Sequence, residues 1–493
     1  MTNRNKTKKT IFIYATEGFN DRVIIKSDLL QRLKEKVDEI IVFYHDAEDV
    51  HYKKQFEDEK IKVIKAEDKK YKEYISRNKL YRILIQLRAY THNGNYNTYI
   101  VDWFRNIFVA QNNWTKENGI KKRLIGYLWH GVSFIIKYSY LIRKTLTWFE
   151  SKFFVTRPHK KYYKKYNPEL VIVSALSGVV YNENFAREAK SFGAKVCTIM
   201  GSWDYSVGLG VPGFTPDYVS AWNKEMKNDL ITLNDISEKT ISINGIPYWD
   251  SRYNNDEIMA KDDFFSFYGL DPKKKIILNA THPPKRFPWG PEFVSNLLKS
   301  INNNIIHEDC QIIIRIHPAH YHDKGDSGLN KKVLDKYNEL KENNKIIILN
   351  VPNTRGTRKG FAFGKEENIM MNSLLKYSDV MVTMFSTMQI EAAIFNLPVV
   401  NYALREIADA DYKSSRLDPQ SLLKMPHVKR ILDTKGVRTA LNFDELYLRI
   451  NNYLDNPSLD SEGRKTIEKE FVGNLKGVGS KKTAEYIFSL IGK

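Results

Sequence analysis

Cysteine is scarce in this sequence, with only Cys197 and Cys310 among its 493 residues. Two thiols exclude a disulfide framework and a cysteine zinc cluster. The sequence also lacks a run of about 18 apolar residues, so we predict no transmembrane helix. The polar start MTNRNKTKKT has no apolar stretch typical of a signal peptide. These absences predict a cytoplasmic protein.

Acidic residues are in deficit, because 58 Asp and Glu face 77 Lys and Arg and leave a net charge of +19. A basic balance of this size favours nucleic acid, anionic lipid or a phosphorylated substrate as partner. No RNA-binding or DNA-binding motif is present, so we predict no nucleic-acid partner. A basic nucleic-acid-binding protein without catalysis stays open as an alternative. The sequence also has no GxxxxGK[ST] or HExxH pattern, and we predict neither a metal site nor a cofactor.

Two series of alternating strand and helix patterns organise the chain. Apolar strands such as TIFIYA and EIIVFYH open the first series, and KKKIILNATHPP opens the second after a polar, acidic connection at 252–272. This alternation predicts parallel sheets with both faces covered. We predict an α/β protein of two doubly wound domains, residues 1–255 and 256–493, facing each other across a cleft. Ligands are expected beyond the carboxyl ends of the strands.

Residues 120–167 differ from the rest in composition. About a dozen Lys and Arg stand among Tyr, Trp, Phe, Ile and Leu, and Glu150 is the single acid. A basic helical stretch with aromatic anchors is typical of a segment that lies on an anionic membrane surface. A buried helix pair with solvated basic ends is the alternative. We expect a peripheral position at the inner face of the cell membrane.

The segment SDVMVTMFSTMQIEAAIFNLPVV, residues 378–400, predicts a strand, a tight turn, a helix from Met388 and a second strand. Ser386 and Thr387 stand where an N-cap belongs, so backbone amides and the helix dipole would form a phosphate site. Glu391 follows Thr387 by one helical turn and would accept hydrogen bonds from ribose hydroxyls. The alternative is an ordinary capped helix.

Two further strand ends carry basic side chains. QIIIRIHPAHY places Arg315, His317 and His320 at or just after a strand end, where they would face a nucleotide phosphate. NATHPPKR places Thr281 and His282 in a proline-rich loop with the basic pair at 285–286. The alternatives are a histidine bonded to backbone and a surface turn.

Asp204 and Glu17 are the candidate general bases. Asp204 lies in the loop GSWDYSVGLG after the strand AKVCTIM, and Gly201, Gly208 and Gly210 would let a substrate approach. Glu17 follows the first strand of the chain. The alternatives are an Asp that caps a turn and an ordinary helix start beyond Glu17.

Together these motifs resemble bacterial GT-B glycosyltransferases. RIHP and SDVMVTMFSTMQIEAAIFNLPVV resemble the donor-binding domain of capsule, O-antigen and teichoic-acid-type enzymes, a group that includes CDP-glycerol glycerophosphotransferases. SWD, DYVSAWN and INGIPYWD resemble the end of the N-terminal domain in that group, and EFVGNLKGVGSKKTAEYIFSLI resembles its C-terminal segment. The resemblance covers about residues 170–490. Residues 1–170 fit by the order of elements alone.

The resemblance implies a role for several residues. It implies an acceptor-binding N-terminal domain, a donor-binding C-terminal domain and a last helix that crosses back to the first. His317 would lie by the donor phosphates, Ser386 and Thr387 would bind them, and Glu391 would reach the ribose or sugar. Asp204 stands where an acceptor-side base is expected.

The implied activity is transfer of a sugar from a nucleotide-sugar to a glycan or lipid-linked acceptor in cell-surface polysaccharide synthesis. Teichoic-acid enzymes usually carry a Ser-Ser pair where this chain has Ser386 and Thr387, and this difference favours a sugar donor. Polyol-phosphate transfer from a CDP-alcohol and 2-epimerisation of a sugar nucleotide remain alternatives. We name Asp204, Glu17 and His317 as catalytic, and we expect the nucleotide-sugar as substrate with no metal.

Overall fold

The computed structural model describes residues 8–15, 22–45, 47, 53, 56–115, 119–284, 286–307, 309–321, 328–344, 347–349, 365–407 and 418–492. The chain divides into two compact units, Met1–Asp250 with Val478–Lys493 and Ser251–Gly477. Each unit contains one parallel β-sheet, with helices between its strands. The α/β class predicted from the alternating segments is therefore confirmed.

Seven parallel strands form the sheet of the first unit: β1 (Thr10–Tyr14), β2 (Glu39–Tyr44), β3 (Ile61–Lys65), β4 (Leu170–Val173), β5 (Lys195–Ile199), β6 (Tyr218–Ala221) and β7 (Ile241–Ile243). Their spatial order is β3-β2-β1-β4-β5-β6-β7. Every residue of β1, β2 and β4 is buried, as expected for parallel strands that are covered on both faces. The edge strand β3 includes two exposed lysines.

The helices of the first unit are α1 (Leu29–Leu33), α2 (Asp68–Arg77), α3 (Lys79–Ala89), α4 (Tyr99–Gln111), α5 (Ile120–Tyr138), α6 (Tyr140–Phe153), α7 (Lys160–Tyr166), α8 (Val180–Ser191), α9 (Tyr205–Gly208) and α10 (Lys224–Thr232). A short 3-10 segment follows at Glu238–Thr240, and a second one, Pro247–Tyr253, contains the boundary between the two units in the chain. The basic stretch of the sequence therefore forms α5, α6 and α7, which stand between β3 and β4 in the chain.

The second unit has six parallel strands: β8 (Lys275–Ala280), β9 (Cys310–Arg315), β10 (Ile347–Leu349), β11 (Val380–Thr383), β12 (Val399–Tyr402) and β13 (Arg438–Ala440). Their order is β10-β9-β8-β11-β12-β13. Its helices are α11 (Lys261–Tyr268), α12 (Gly290–Asn302), α13 (Leu329–Asn343), α14 (Lys365–Tyr377), α15 (Met388–Ile394), α16 (Pro426–Asp433), α17 (Phe443–Asp455) and α18 (Ser461–Ile467). Short helical segments lie at Asn255–Glu257, Pro318–Tyr321, Pro419–Lys424 and Glu468–Val472.

The region predicted as a polar connection, 252–272, contains a helix. In α11, Phe264 and Tyr268 are four residues apart and both are buried, so they form one packed face. Asp262 and Asp263 lie in the first turn, where carboxylates stabilise the positive end of the helix dipole. The acidic composition therefore marks a helix start.

The last helix, α19 (Gly479–Leu490), belongs to the first unit. It packs on α1, and its Ala484 and Ile487 join the apolar cluster that includes β1 and β2. Asp250 accepts hydrogen bonds of 2.7 Å from the backbone amides of Gly479 and Ser480 at the start of this helix. These bonds supply partners for two amides that the helix itself cannot pair.

Both sheets have one point where the direction of the strand order reverses. In the first unit this point lies between β1 and β4, and in the second between β8 and β11. In doubly wound sheets, ligands bind in the crevice beyond the carboxyl ends of the two strands at such a point. The topology of the second unit therefore directs attention to the loops after β8 and β11, which carry Thr281, His282, Ser386 and Thr387.

Candidate functional site

Hydrogen bonds join the loops after three adjacent strands of the second unit, β9, β8 and β11. Thr281 Oγ1 accepts a bond of 2.7 Å from the backbone N–H of His317, which links the β8 loop to the β9 loop. His282 Nε2 accepts a bond of 3.0 Å from the backbone N–H of Met384, which links the β8 loop to the β11 loop. The structure therefore brings Thr281, His282 and His317 together with the start of the 384–387 turn.

The ring of His282 is neutral. Desolvation, together with the nearby guanidinium of Arg286, lowers its pKa to about 3. Because Nε2 accepts from Met384, the neutral ring carries its proton on Nδ1. His282 therefore orders the loops as an acceptor and contributes no positive charge to the site.

His320 is also neutral and serves the local backbone. Burial lowers its pKa to about 4, and its Nδ1 lies 2.9 Å from the carbonyl oxygen of His317, to which it donates. The ring is almost completely buried, at 3% exposure. This histidine therefore supports the turn that carries His317.

His317 is half-buried and is held in one orientation. Its Nδ1 accepts a bond of 3.1 Å from the backbone N–H of Ala319. In the neutral ring the proton then lies on Nε2, so this atom is a hydrogen-bond donor. An N–H donor with a fixed direction at a strand end is the group that a phosphate oxygen requires.

The turn after β11 has an unusual backbone. Phe385 has φ of +48°, a left-handed conformation that is uncommon for a bulky residue. Its N–H donates to Asn401 Oδ1 at 2.9 Å, and Asn401 is fully buried on β12. Strained backbone of this kind persists where the surroundings hold it, and it clusters at functional sites.

The capping of α15 differs from the prediction. The helix begins at Met388 as predicted, but the Thr387 side chain makes no capping bond, and Ser386 Oγ accepts a long bond of 3.3 Å from the Met388 amide. The amides of Met384 and Phe385 are already bonded within the chain. The turn therefore has fewer free backbone amides than predicted. The half-buried side chains of Ser386 and Thr387 are its remaining polar groups.

Arg315 does not take the phosphate-facing position that the sequence suggested. Its side chain is buried and its Nη2 forms an ion pair with Glu367, which is 1% exposed. The charge of a guanidinium that is buried against a carboxylate is balanced by that carboxylate, so it does not serve to bind a phosphate. We therefore correct Arg315 from a donor-binding residue to a structural one.

Glu391 is also corrected, from a ribose-binding residue to a structural one. The Nε and Nη2 atoms of Arg252 each lie 2.8 Å from Glu391 Oε2, and Arg252 Nη1 donates to Asn372 Oδ1 at 2.6 Å. Glu391 is 3% exposed. Its position one turn after Thr387 was read correctly, but the carboxylate faces the inside of the second unit.

Asp204, in the first unit, lies just after β5 and is half-buried. Its Oδ1 accepts a bond of 2.6 Å from the Ser202 hydroxyl, and it forms no ion pair with the residues that the structure describes. A carboxylate in this state is able to accept a proton. The second candidate base, Glu17, and the loop residue Lys285 lie outside the described residues.

Gly210, one of the glycines after Asp204, serves the packing of the chain. A Cβ atom on Gly210 would stand 2.4 Å from the carbonyl oxygen of Ala89, and Gly210 has φ of +67°. Arg88 Nη1 and Asn234 Nδ2 bind the carbonyls of Val211 and Gly210 at 2.7 and 2.9 Å. The sequence predicted that a substrate would approach these glycines closely. At Gly210 the end of α3 takes that place.

Asn401 supports the candidate site and was not among the residues named from the sequence. It holds the left-handed Phe385 turn and also donates to Gln389 Oε1 at 2.9 Å. A polar residue inside the apolar strand VVNY was the available signal, since a fully buried amide needs partners. Within the described residues, no group of three or more His, Cys, Asp or Glu is arranged to hold a metal ion.

Helices α5 and α6 carry a large exposed apolar surface. We call it the hairpin surface; its members are large apolar side chains with exposures of 41–73%: Ile120, Leu124, Ile125, Tyr127, Leu128, Val132, Phe134, Ile135, Tyr138, Tyr140, Leu141, Trp148 and Phe153. This exposure contradicts the alternative of a buried helix pair. None of the described helices is both long enough and apolar enough to cross a membrane.

The one acid of this stretch is removed from the surface. Glu150 is 1% exposed and lies 2.7 Å from Arg88 Nε and 2.8 Å from Arg187 Nη1. Lys121, Lys122 and Lys152 are exposed. The hairpin surface is therefore apolar and cationic, with no exposed carboxylate on α5 or α6.

Solved structures of the same fold are known. A Listeria monocytogenes structure designated a UDP-N-acetylglucosamine 2-epimerase matches with a TM-score of 0.51 and 11% identity over 98% of this chain and 97% of that chain. The S. aureus protein MnaA, solved with UDP, matches with a TM-score of 0.50 and 12% identity over 98% of both chains. This chain has the GT-B fold.

A glycosyltransferase structure from Rickettsia africae also matches, with a TM-score of 0.47 and 12% identity over 99% of both chains. No family model and no curated protein matches the sequence. The two matches with TM-scores of 0.50 and 0.51 show the fold alone, so the reaction has to be inferred from the site.

Proposed function

We propose that this GT-B protein is a glycosyltransferase that moves a sugar from a nucleotide-sugar to a glycan or lipid-linked acceptor in cell-surface polysaccharide synthesis. The observation that carries the proposal is the loop cluster at the switch point of the second unit. There, Thr281 fixes the His317 amide and His282 fixes the Met384 amide. A doubly wound sheet binds nucleotides at this place.

The chemistry requires charge stabilisation on the leaving group. His317 Nε2–H donates to the diphosphate, and the Ser386 and Thr387 hydroxyls bind its other oxygens. Arg286 is exposed in the loop after β8, and its guanidinium adds positive charge to the site. These groups take the place of a metal ion in our proposal.

The acceptor hydroxyl loses its proton to the Asp204 carboxylate while its oxygen bonds to the anomeric carbon of the donor. The bond from that carbon to the phosphate oxygen breaks, and its electron pair leaves with the nucleoside diphosphate. The half-buried Asp204, without an ionic partner among the described residues, supports this assignment.

The identity of the released nucleotide distinguishes sugar transfer from polyol-phosphate transfer. With a nucleotide-sugar donor, we expect a nucleoside diphosphate to form only when an acceptor glycan is added. Release of CMP from a CDP-alcohol would instead assign polyol-phosphate transfer. We measure release by anion-exchange chromatography with each donor, with and without acceptor.

A sugar-nucleotide 2-epimerase is the second candidate, because two full-length structural matches, the Listeria monocytogenes structure and MnaA, have the same fold and one is designated such an epimerase. It would use the same nucleotide site and change the sugar without any acceptor. Conversion of UDP-N-acetylglucosamine to its 2-epimer in the absence of acceptor would replace the transferase proposal with this one.

We further propose that the hairpin surface holds the enzyme on the anionic inner face of the cell membrane. Apolar side chains enter the interface, and the neighbouring lysines bind acidic headgroups. This places the enzyme where a lipid-linked acceptor is found.

We expect the protein to sediment with vesicles that contain about one-third anionic lipid, and less so as salt rises. The double substitution Leu128→Glu/Leu141→Glu should abolish sedimentation. Leu448→Glu is the matched control, since Leu448 is 60% exposed on α17, outside the hairpin surface. Equal loss in the control, or equal binding to neutral vesicles, would reject this assignment.

A further inference from the structure

A surface pocket of about 490 Å³ lies in the first unit, between the α2–α3 helix pair and the loop that follows β4. Lys72 on α2 and Arg82 on α3 line it, together with Ile75, Val179 and Val180. None of the residues given above as site residues contributes to it. The pocket is therefore separate from the nucleotide site.

The charge of this pocket is of one sign. Lys72 and Arg82 are exposed, and neither forms an ion pair with the described residues, whereas Lys70 on the same helix pairs with Glu67 at 3.2 Å. No Asp or Glu is among the described residues that line the pocket. Two exposed cations at an opening whose described lining has no carboxylate favour an anionic ligand.

The position of the pocket in the fold supports a ligand role. Val179 and Val180 follow β4, one of the two strands at the switch point of the first unit. This is the counterpart of the place where the second unit carries its histidine loops. Ile75, Val179 and Val180 form an apolar part of the wall, and Ser76, Gly178 and Tyr181 complete it. The pocket therefore suits an anion that is attached to a hydrocarbon chain.

One helix of the pocket contacts a helix that carries part of the hairpin surface. Helix α3, which carries Arg82, packs against α6, and Tyr81 stacks on Phe154 with ring centroids 4.8 Å apart. Leu141 and Trp148 of α6 are among the exposed apolar residues. The pocket and the hairpin surface are therefore formed by neighbouring helices of the first unit.

We propose that this pocket binds the phosphate or diphosphate of a lipid-linked acceptor, with Lys72 and Arg82 on the phosphate and Ile75, Val179 and Val180 against the first part of the chain. The inference rests on the proposed function, because it specifies the acceptor of that reaction. According to this inference, the acceptor carries a lipid phosphate or diphosphate, and the first unit contains the anion site that binds it.

Geranyl diphosphate, a water-soluble diphosphate with a short hydrocarbon chain, is the probe. Titrated by calorimetry into the full-length protein, it should bind at one site at least about tenfold more tightly than inorganic diphosphate, since burial of two or three methylene groups suffices for that ratio. The double substitution Lys72→Ala/Arg82→Ala should weaken geranyl diphosphate binding by about tenfold or more.

Lys69→Ala/Lys79→Ala is the matched control. It removes two exposed lysines from the same two helices but outside the pocket, so binding should change by less than about twofold. Equal losses in the two double variants would overturn the proposal, as would equal affinities for geranyl and inorganic diphosphate. Displacement of geranyl diphosphate by nucleotide would assign the probe to the second unit and overturn it too.

Nucleotide binding to the same proteins separates this inference from the proposed function. The Lys72→Ala/Arg82→Ala variant should bind nucleotide as the wild type does. If the wild type binds nucleotide and not geranyl diphosphate, the acceptor pocket is refuted and the donor site stands. If it binds neither, both are refuted.

Discussion

Replacing His317 with alanine is expected to lower acceptor-dependent nucleotide release by about 10²–10³-fold, the usual cost of removing one donor that stabilises developing charge. The reason is geometric. The backbone N–H of Ala319 donates to His317 Nδ1 at 3.1 Å, which orients the ring and leaves the proton of the neutral ring on Nε2. Alanine leaves the negative charge of the departing diphosphate without that donor.

His307→Ala is the control for this experiment. His307 is an exposed histidine of the second unit, with its Nε2 2.7 Å from Asp455, and its loss should leave the rate within about twofold. His317→Gln should restore part of the activity, because its side-chain amide also carries an N–H. A loss below about threefold in His317→Ala would remove His317 from the reaction.

Replacing Arg252 with methionine is expected to lower the free energy of unfolding by about 3–5 kcal/mol, because Glu391 would be left charged and buried without its partner. Both side chains are almost completely buried, with exposures of 0% and 4%. Urea unfolding followed by tryptophan fluorescence measures the change. The double substitution Arg252→Met/Glu391→Leu should recover most of the loss, since an apolar pair needs no counter-charge.

The double variant also decides what Glu391 does. If Glu391 only supports the packing of α15, the folded double variant binds nucleotide with an affinity within about twofold of the wild type. If Glu391 reached a ribose, that affinity would fall by about tenfold or more. The second result would reinstate the role that the sequence pattern suggested.

The strands were predictable because parallel sheets bury both faces, which makes each strand a continuous apolar run. TIFIY and EIIVFY are examples, and both are fully buried. The helix start at Met388 followed from the Ser386-Thr387 turn. The place of the candidate site was proposed from the rule that ligands collect beyond strand ends.

The partners of the charged side chains were not predictable from local patterns. Arg252 and Glu391 are 139 residues apart in the chain, and His282 and Met384 are 102 apart. Periodicity reports which face of an element is buried and says nothing of which distant residue meets it. For this reason the sequence placed Glu391 on the correct helix face and gave no sign of its ion pair with Arg252.

The basic aromatic stretch shows a second limit. A buried helix pair and an interfacial one have the same composition, and only exposed area separates them. Leu128 and Leu141 are 68% and 73% exposed. The buried Glu150, paired with Arg88 and Arg187, explains why the only acid of the stretch leaves no negative charge on that surface.

The most direct test of the central claim is a thermal-shift comparison of UDP, GDP, CDP, CMP and their sugars on the wild type, His317→Ala and His307→Ala. We predict that one nucleotide stabilises the wild type, by about 2.7 kcal/mol at a hundredfold excess over its Kd. The shift should persist in His307→Ala and disappear in His317→Ala. A flat response to every nucleotide, or an undiminished shift in His317→Ala, would contradict a donor site at these loops.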